Sequence, residues 1–179
     1  MKKTFKRYAL YSGVTMLALY IVNILAITCG ANDLVGMLVS YTAMVLSLCF
    51  VYFGIRYYRD TQNNGVLGFG QGIKLGLLIS LVPSFCFGVC DIIYVTLVNP
   101  DFSDNYEATK LQQLKATTPP AEFAAKAAAL KDQMAFFKNP LGDFTVMFLN
   151  VMAIGLIITV ISTFMLKRNA AKKTAVELV

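Results

Sequence analysis

The chain has 179 residues, 57% of them apolar, a mean hydropathy of +0.62 and a formal charge of +6. It is too apolar for a soluble domain of this size, and the lack of any histidine removes His-dependent triads, the HExxH zinc motif and His haem ligation. A positive balance can mark a nucleic-acid binder, but here the cations sit at the ends of apolar runs, where anionic headgroups and the insertion machinery read them, so no nucleic-acid partner is expected.

Runs of at least about 18 apolar residues with few charges mark spanning helices. Four occur, over about 8–29, 34–57, 72–98 and 144–166. The first follows Lys2, Lys3, Lys6 and Arg7 and could be mistaken for a signal peptide. It exceeds the usual ~7–15-residue core of one, and Ala26, Ile27 and Thr28 before Cys29 make a poor cleavage site, so it is read as a span. The second run follows a very short turn ending at Asp33, and the third is interrupted by Pro83. The expected fold is therefore all-α: one polytopic domain over 1–179, a four-helix bundle in the membrane, with 99–143 as an external helical hairpin inserted between spans three and four. Cys29, Cys49, Cys86 and Cys90 lie in or at the end of apolar runs, and 99–143 has none, so no disulfide scaffold is expected. Cys86 and Cys90 share a helical face, but two thiols without further ligands make a poor metal site.

Orientation follows the cations. Eleven lie on one side (Lys2, Lys3, Lys6, Arg7, Arg56, Arg59, Lys74, Lys167, Arg168, Lys172, Lys173) and five on the other (Lys110, Lys115, Lys126, Lys131, Lys138), the five offset by six acids. Both termini are thus expected on the cytoplasmic side, with 99–143 opposite. Tyr8, Tyr57, Tyr58, Phe69, Phe102 and Phe144 fall near the interfaces, where amphipathic rings belong, and Lys74 is expected to snorkel to the headgroups.

Within 99–143 two helices are expected. The first runs from about Asp104 to Ala116, with Ser103 or Asp104 as cap and Glu107 close to capping-box spacing. Thr118, Pro119 and Pro120 start the second, which runs to Phe137 through Ala-rich sequence. Its apolar stripe is Phe123, Ala127, Leu130, Met134 and Phe137, five residues on one face, with Leu111 and Leu114 placed to oppose them. The stripe either is buried within the hairpin or against the bundle, or docks an external partner.

On span three, Gly68, Gly72, Gly76, Ser80, Ser84 and Gly88 recur at every fourth position. Small side chains let another helix approach closely where lipid supplies no hydrophobic drive between helices. The partner is either span four, whose Gly155, Thr159 and Thr163 repeat the spacing, or the same helix in a second subunit. Pro83 adds a kink and frees a carbonyl near Ile79.

Asp91 is the one acid well inside a span. Counted from the outer ends, Asn23, Asp91 and Asn150 lie about six or seven residues in, roughly 10 Å deep on three helices, and Ser40 comes out level with them. Tyr20, Tyr41 and Tyr94 are close by in sequence. An intramembrane carboxylate is costly and normally faces the interior. Two readings stay open: a hydrogen-bonded cluster that sets helix register, or a proton or cation site with Asn23, Asn150 and Ser40 as neutral ligands.

The stretch Tyr52 to Tyr58 (YFGIRYY), followed by Gly65 to Gly76 (GVLGFGQGIKLG), resembles a bacterial family of small four-span membrane proteins, domain of unknown function 4199. The aromatic–Gly entry to span three, the helical segment before span four and the basic end at Lys167 and Arg168 fit across nearly the whole chain. The resemblance implies location rather than chemistry: the inner membrane of a bacterium, with the hairpin in the periplasm.

Three functions remain. No cofactor, metal or acid–base pair at useful spacing is visible, which leaves a membrane enzyme acting on lipid as the weakest and a non-enzymatic partner-binding or accessory subunit as the first expectation. A transporter or channel using Asp91 is the alternative. Because four close-packed helices fill their own centre, it would need a homo-oligomer.

Overall fold

The computed structural model describes residues 1–30 and 33–177; of the side chains, those of 33, 34, 37 and 168–177 lie outside the description. Every regular element among these residues is helical: α1 Lys2–Thr28, α2 Asp33–Tyr57, α3 Phe69–Ile93, α4 Phe102–Thr117, α5 Pro120–Lys138 and α6 Pro140–Glu177. Two single π turns, Tyr58–Gln62 and Tyr94–Val98, extend α2 and α3. Among the described residues, four helical stretches are long and apolar enough to cross a membrane: Lys2–Thr28, Leu38–Gln62, Phe69–Val98 and Pro140–Lys167.

The helix ends differ from the sequence expectation for local reasons. The fourth span was expected from 144, yet α6 begins at Pro140. Asn139 Oδ1 accepts the Leu141 N–H at 3.0 Å, and a proline at the first helical position needs no amide partner. α4 starts at Phe102 with Asp101 before it and no side-chain cap, so the expected capping box on Ser103, Asp104 and Glu107 does not form; both acids have another partner, described below. Gly68 precedes α3 rather than belonging to it, and its N–H donates to Gln71 Oε1 at 3.3 Å. The link from α2 to α3 turns at Asn64 and Gly65, both at positive φ, where Gly65 carries no steric cost. Asn63 Nδ2 ties this turn by donating to the Val66 carbonyl at 2.7 Å. The basic residues Arg168, Lys172 and Lys173 fall on the last stretch of α6, where side chains are outside the described residues.

Contacts divide the chain into two compact units: Met1–Phe87 with Phe148–Val179, and Gly88–Met147. The second is wider than the expected 99–143 insertion, because it takes the last turns of α3 and the first turns of α6.

In the first unit the core is one cluster in which Met16, Leu48, Val51, Ile55, Leu75, Ile79, Val151 and Leu166 are almost wholly buried. Met44, Leu48, Val51 and Ile55 step by four, three and four, which puts them on one face of α2, and Tyr58 in the π turn continues that row. The helices meet over glycine. A Cβ on Gly13 would lie 2.8 Å from Val82 Cγ1, and one on Gly54 2.5 Å from Ile79 Cδ1 and 3.2 Å from Tyr8 Cβ. Large apolar side chains such as Leu10, Val14, Ile21, Leu38, Val45, Ile157 and Phe164 are exposed instead, an outward apolar surface that suits lipid rather than water.

In the second unit α4 and α5 form the hairpin. Phe123, Ala127, Leu130 and Phe137 are half-buried and Met134 is buried, and on α4 Leu111 and Leu114 are half-buried. The stripe is thus the least exposed face of α5, while Ala125, Lys126, Lys131 and Asp132 face outward.

Candidate functional site

The polar groups expected at one depth divide between the two units. In the first, Asn23, only 6% exposed, donates from Nδ2 to Ser40 Oγ at 2.8 Å, joining α1 to α2. Asn23 Oδ1 is buried without a hydrogen-bond partner. Three turns earlier on α1, Ser12 Oγ donates to the Ser47 carbonyl and Ser47 Oγ to the Ser12 carbonyl, both at 2.7 Å. This reciprocal clamp satisfies both hydroxyls inside the packed unit and holds the α1–α2 register. Asn150 does not join the layer: it sits on an exposed face of α6. One residue from Val151, which is fully buried, it is rotated by about 100° from the packed face.

The small residues of α3 meet α6 in a regular series. A Cβ on Gly72 would lie 2.6 Å from Thr163 Cγ2, one on Gly76 2.5 Å from Thr159 Oγ1, and one on Gly155 2.7 Å from Ser80 Oγ. Each step of four forward on α3 is matched by a step of four back on α6, the pattern of two antiparallel i+4 ridges. Ser80 and Ser84 are fully buried; each hydroxyl donates one turn back along α3, to Gly76 O at 3.0 Å and Ser80 O at 2.8 Å. Gly68, outside the helix and exposed, takes no part in this contact. Of the two partners open to the stripe, α6 of the same chain occupies the Gly72–Ser80 part.

Asp91 lies in the second unit, with a partner that sequence reading passed over. Its carboxyl is hydrogen-bonded to that of Asp143 on the first turns of α6. Asp143 is 5% exposed, and its Oδ2 is buried without a hydrogen-bond partner. Gly88, one turn before Asp91, makes the approach possible. A Cβ there would lie 2.7 Å from Phe144 Cδ2 and 3.3 Å from the Phe144 carbonyl oxygen, so the ring and backbone next to Asp143 sit directly on α3. The signal for Asp143 was in the chain. The four-residue row of Thr163, Thr159 and Gly155 runs back through Val151 and Met147 to Asp143, but beginning the span at 144 left that acid among those of the loop. Among the described residues, no group of three or more Cys, Asp or Glu is placed to hold a metal ion.

The remaining charged cluster fastens the hairpin. Lys138 Nζ lies 2.7 Å from Asp104 Oδ1 and 2.7 Å from Glu107 Oε2, which is why neither acid caps α4. Hydrogen bonds to these two carboxylates push the Lys138 ammonium up to about 12. A raised lysine stabilises fully below the ordinary amine value of about 10.4, and that contribution is lost as pH rises through about 12. Lys138 and Asp104 are solvent-exposed, so their pairing is screened by salt. Lys138→Gln is expected to raise amide exchange across α4 and α5 by roughly two- to fivefold at low salt and less in molar salt. Exchange rates read by mass spectrometry that are equal in the two proteins would show the cluster to be idle.

No curated protein and no solved structure matches this chain. The profile of the family described as protein of unknown function DUF4199 matches residues 7–168, from the basic start of α1 to the end of the apolar part of α6. The match takes in both units and the loops between the helices, so the chain, with its four helices long and apolar enough to span a membrane, belongs to this family.

Proposed function

We propose that the protein is a non-enzymatic subunit of the bacterial inner membrane that acts by binding another protein, with both termini in the cytoplasm and the α4–α5 hairpin in the periplasm. The charge asymmetry supports this orientation, eleven cations against five. The observation that carries the binding reading is that Gly88–Met147 makes a compact unit of its own. Two neighbouring spans can be joined by a few residues. Here the chain instead builds a hairpin that turns its apolar stripe inward and fastens itself through Lys138. Such a body offers a fixed polar face and loses little conformational freedom on docking.

The test compares the full chain with a variant in which 101–138 is replaced by a short Gly-Ser linker. Both are extracted from native membranes in mild detergent, and intact mass is read directly. The full chain should carry a second protein in fixed stoichiometry and the variant should not. A full chain that is recovered alone, or only with copies of itself, refutes the reading.

One observation favours a second reading, an oligomeric proton- or cation-linked transporter: the contact between Asp91 and Asp143. A solute path would have to lie between copies, because helices packed about 8–10 Å apart leave no room inside one chain. Flux into vesicles that follows a pH gradient and is lost in Asp91→Asn would support it.

A further inference from the structure

Two carboxylates that both carry full charge cannot hydrogen-bond each other, because an ionised carboxylate only accepts. Like charges at contact distance also repel strongly where water is excluded. Asp143 is 5% exposed and Asp91 half-buried, and the Phe144 ring packs on Gly88 beside them. Lys138, five residues before Asp143 in the chain, lies on Asp104 and Glu107. The other acids of α4 and α5 that bind a charged partner, Asp104, Glu107 and Glu122, pair with lysines of the hairpin itself. Asp143 Oδ2, buried and with no hydrogen-bond partner, leaves one position on the pair open to accept a further donor.

We propose that Asp91 and Asp143 form a proton-binding pair, one proton held between the two carboxyls, which ties the last turns of α3 to the first turns of α6. Binding makes one O–H bond and breaks none in the protein; the proton comes from bulk water and nothing is oxidised or reduced. With the proton in place the pair carries a single negative charge and one internal hydrogen bond. Without it, two carboxylates face each other across that contact. The proposal deepens the transporter reading by naming the ligand and the second residue, yet it does not require transport: occupancy by a proton and passage of a solute are separate measurements.

The experiment uses the full chain, labelled with carbon-13 at the aspartate carboxyls, in vesicles of phosphatidylcholine and phosphatidylglycerol. The infrared carbonyl band of a protonated carboxyl is recorded as pH is varied, in water and in heavy water. At neutral pH the wild type should show one such aspartate band, shifted by the label and by deuterium. Asp91→Asn and Asp143→Asn should each abolish it, since the surviving carboxylate can then accept from the new amide. A wild type with no protonated aspartate at neutral pH overturns the proposal. So does a band that survives both substitutions, since it would belong to another carboxyl. Should either variant fail to fold, the labelled wild type alone still decides whether a protonated aspartate is present. pH-driven flux is measured on the same vesicles. A band without flux leaves the proton pair standing and ends the transporter reading, whereas flux without a band ends the proton pair.

Discussion

Gly142→Ala should be the most damaging conservative change in this protein, at a cost of roughly 3 kcal/mol or more. A Cβ at this position would collide with the carbonyl oxygen of Phe136, and would lie 3.1 Å from the carbonyl carbon and 3.2 Å from Phe136 Cδ1. Backbone cannot yield as a side-chain tip can. The only relief is to open the junction where α5 ends at Lys138 and α6 begins at Pro140. Since that junction sets the first turn of α6, the variant should also displace Asp143. The measurement is unfolding of the vesicle-reconstituted protein, with proteolysis at 136–142 as a local readout. Wild-type stability together with wild-type protease resistance would show that the junction is looser than its geometry. Gly70 serves as the control: a Cβ there meets nothing within 4 Å, and Gly70→Ala should be neutral or slightly stabilising, because glycine is a poor helix former.

Gly76→Leu should separate α3 from α6 and cost about 1–3 kcal/mol, and a second substitution should recover part of the loss. A Cβ on Gly76 would lie 2.5 Å from Thr159 Oγ1 and 2.9 Å from Thr159 Cβ. Without a hydrophobic drive between helices in lipid, close packing is what holds such a pair together. Truncating Thr159 to alanine removes Oγ1 and Cγ2 but leaves Cβ, so recovery should be partial. It should be greater for Gly76→Ala than for Gly76→Leu. Thr159→Ala alone should be mild, because the lost hydroxyl is buried without a hydrogen-bond partner. A double-mutant cycle measures the coupling. Strict additivity of the two changes would mean that the residues do not meet.

Much of the molecule could be read from the chain. Span existence follows from the length of apolar runs, because unpaired backbone groups are intolerable in lipid and only a helix satisfies them locally. The hairpin stripe was legible for a similar reason: Phe123, Ala127, Leu130, Met134 and Phe137 keep helical spacing whatever they pack against. The spacing of Gly72, Gly76 and Ser80 announced a close contact and offered two partners. Choosing between them depended on the register of α6, which only the packing supplies.

The polar residues show where this reading ends. Counting depth put Asn23, Ser40, Asp91 and Asn150 at one level, and Asn23 with Ser40 does meet. Depth carries no information on rotation, however, and Asn150 points away from the packed face. Asp104 and Glu107 have the composition of a helix cap but are taken by Lys138, thirty-four and thirty-one residues further along the chain.

What the sequence by itself determined is therefore the set of helices, their apolar faces and the close contact made by Gly72, Gly76 and Ser80. These depend on local spacing and on the energetics of backbone in lipid. Which side chains meet was decided by tertiary structure alone, above all the pairing of Asp91 with Asp143. Helix rotation and the start of α6 at Pro140 set that contact, and the same residues in a helix begun one turn later would have left Asp143 in the loop.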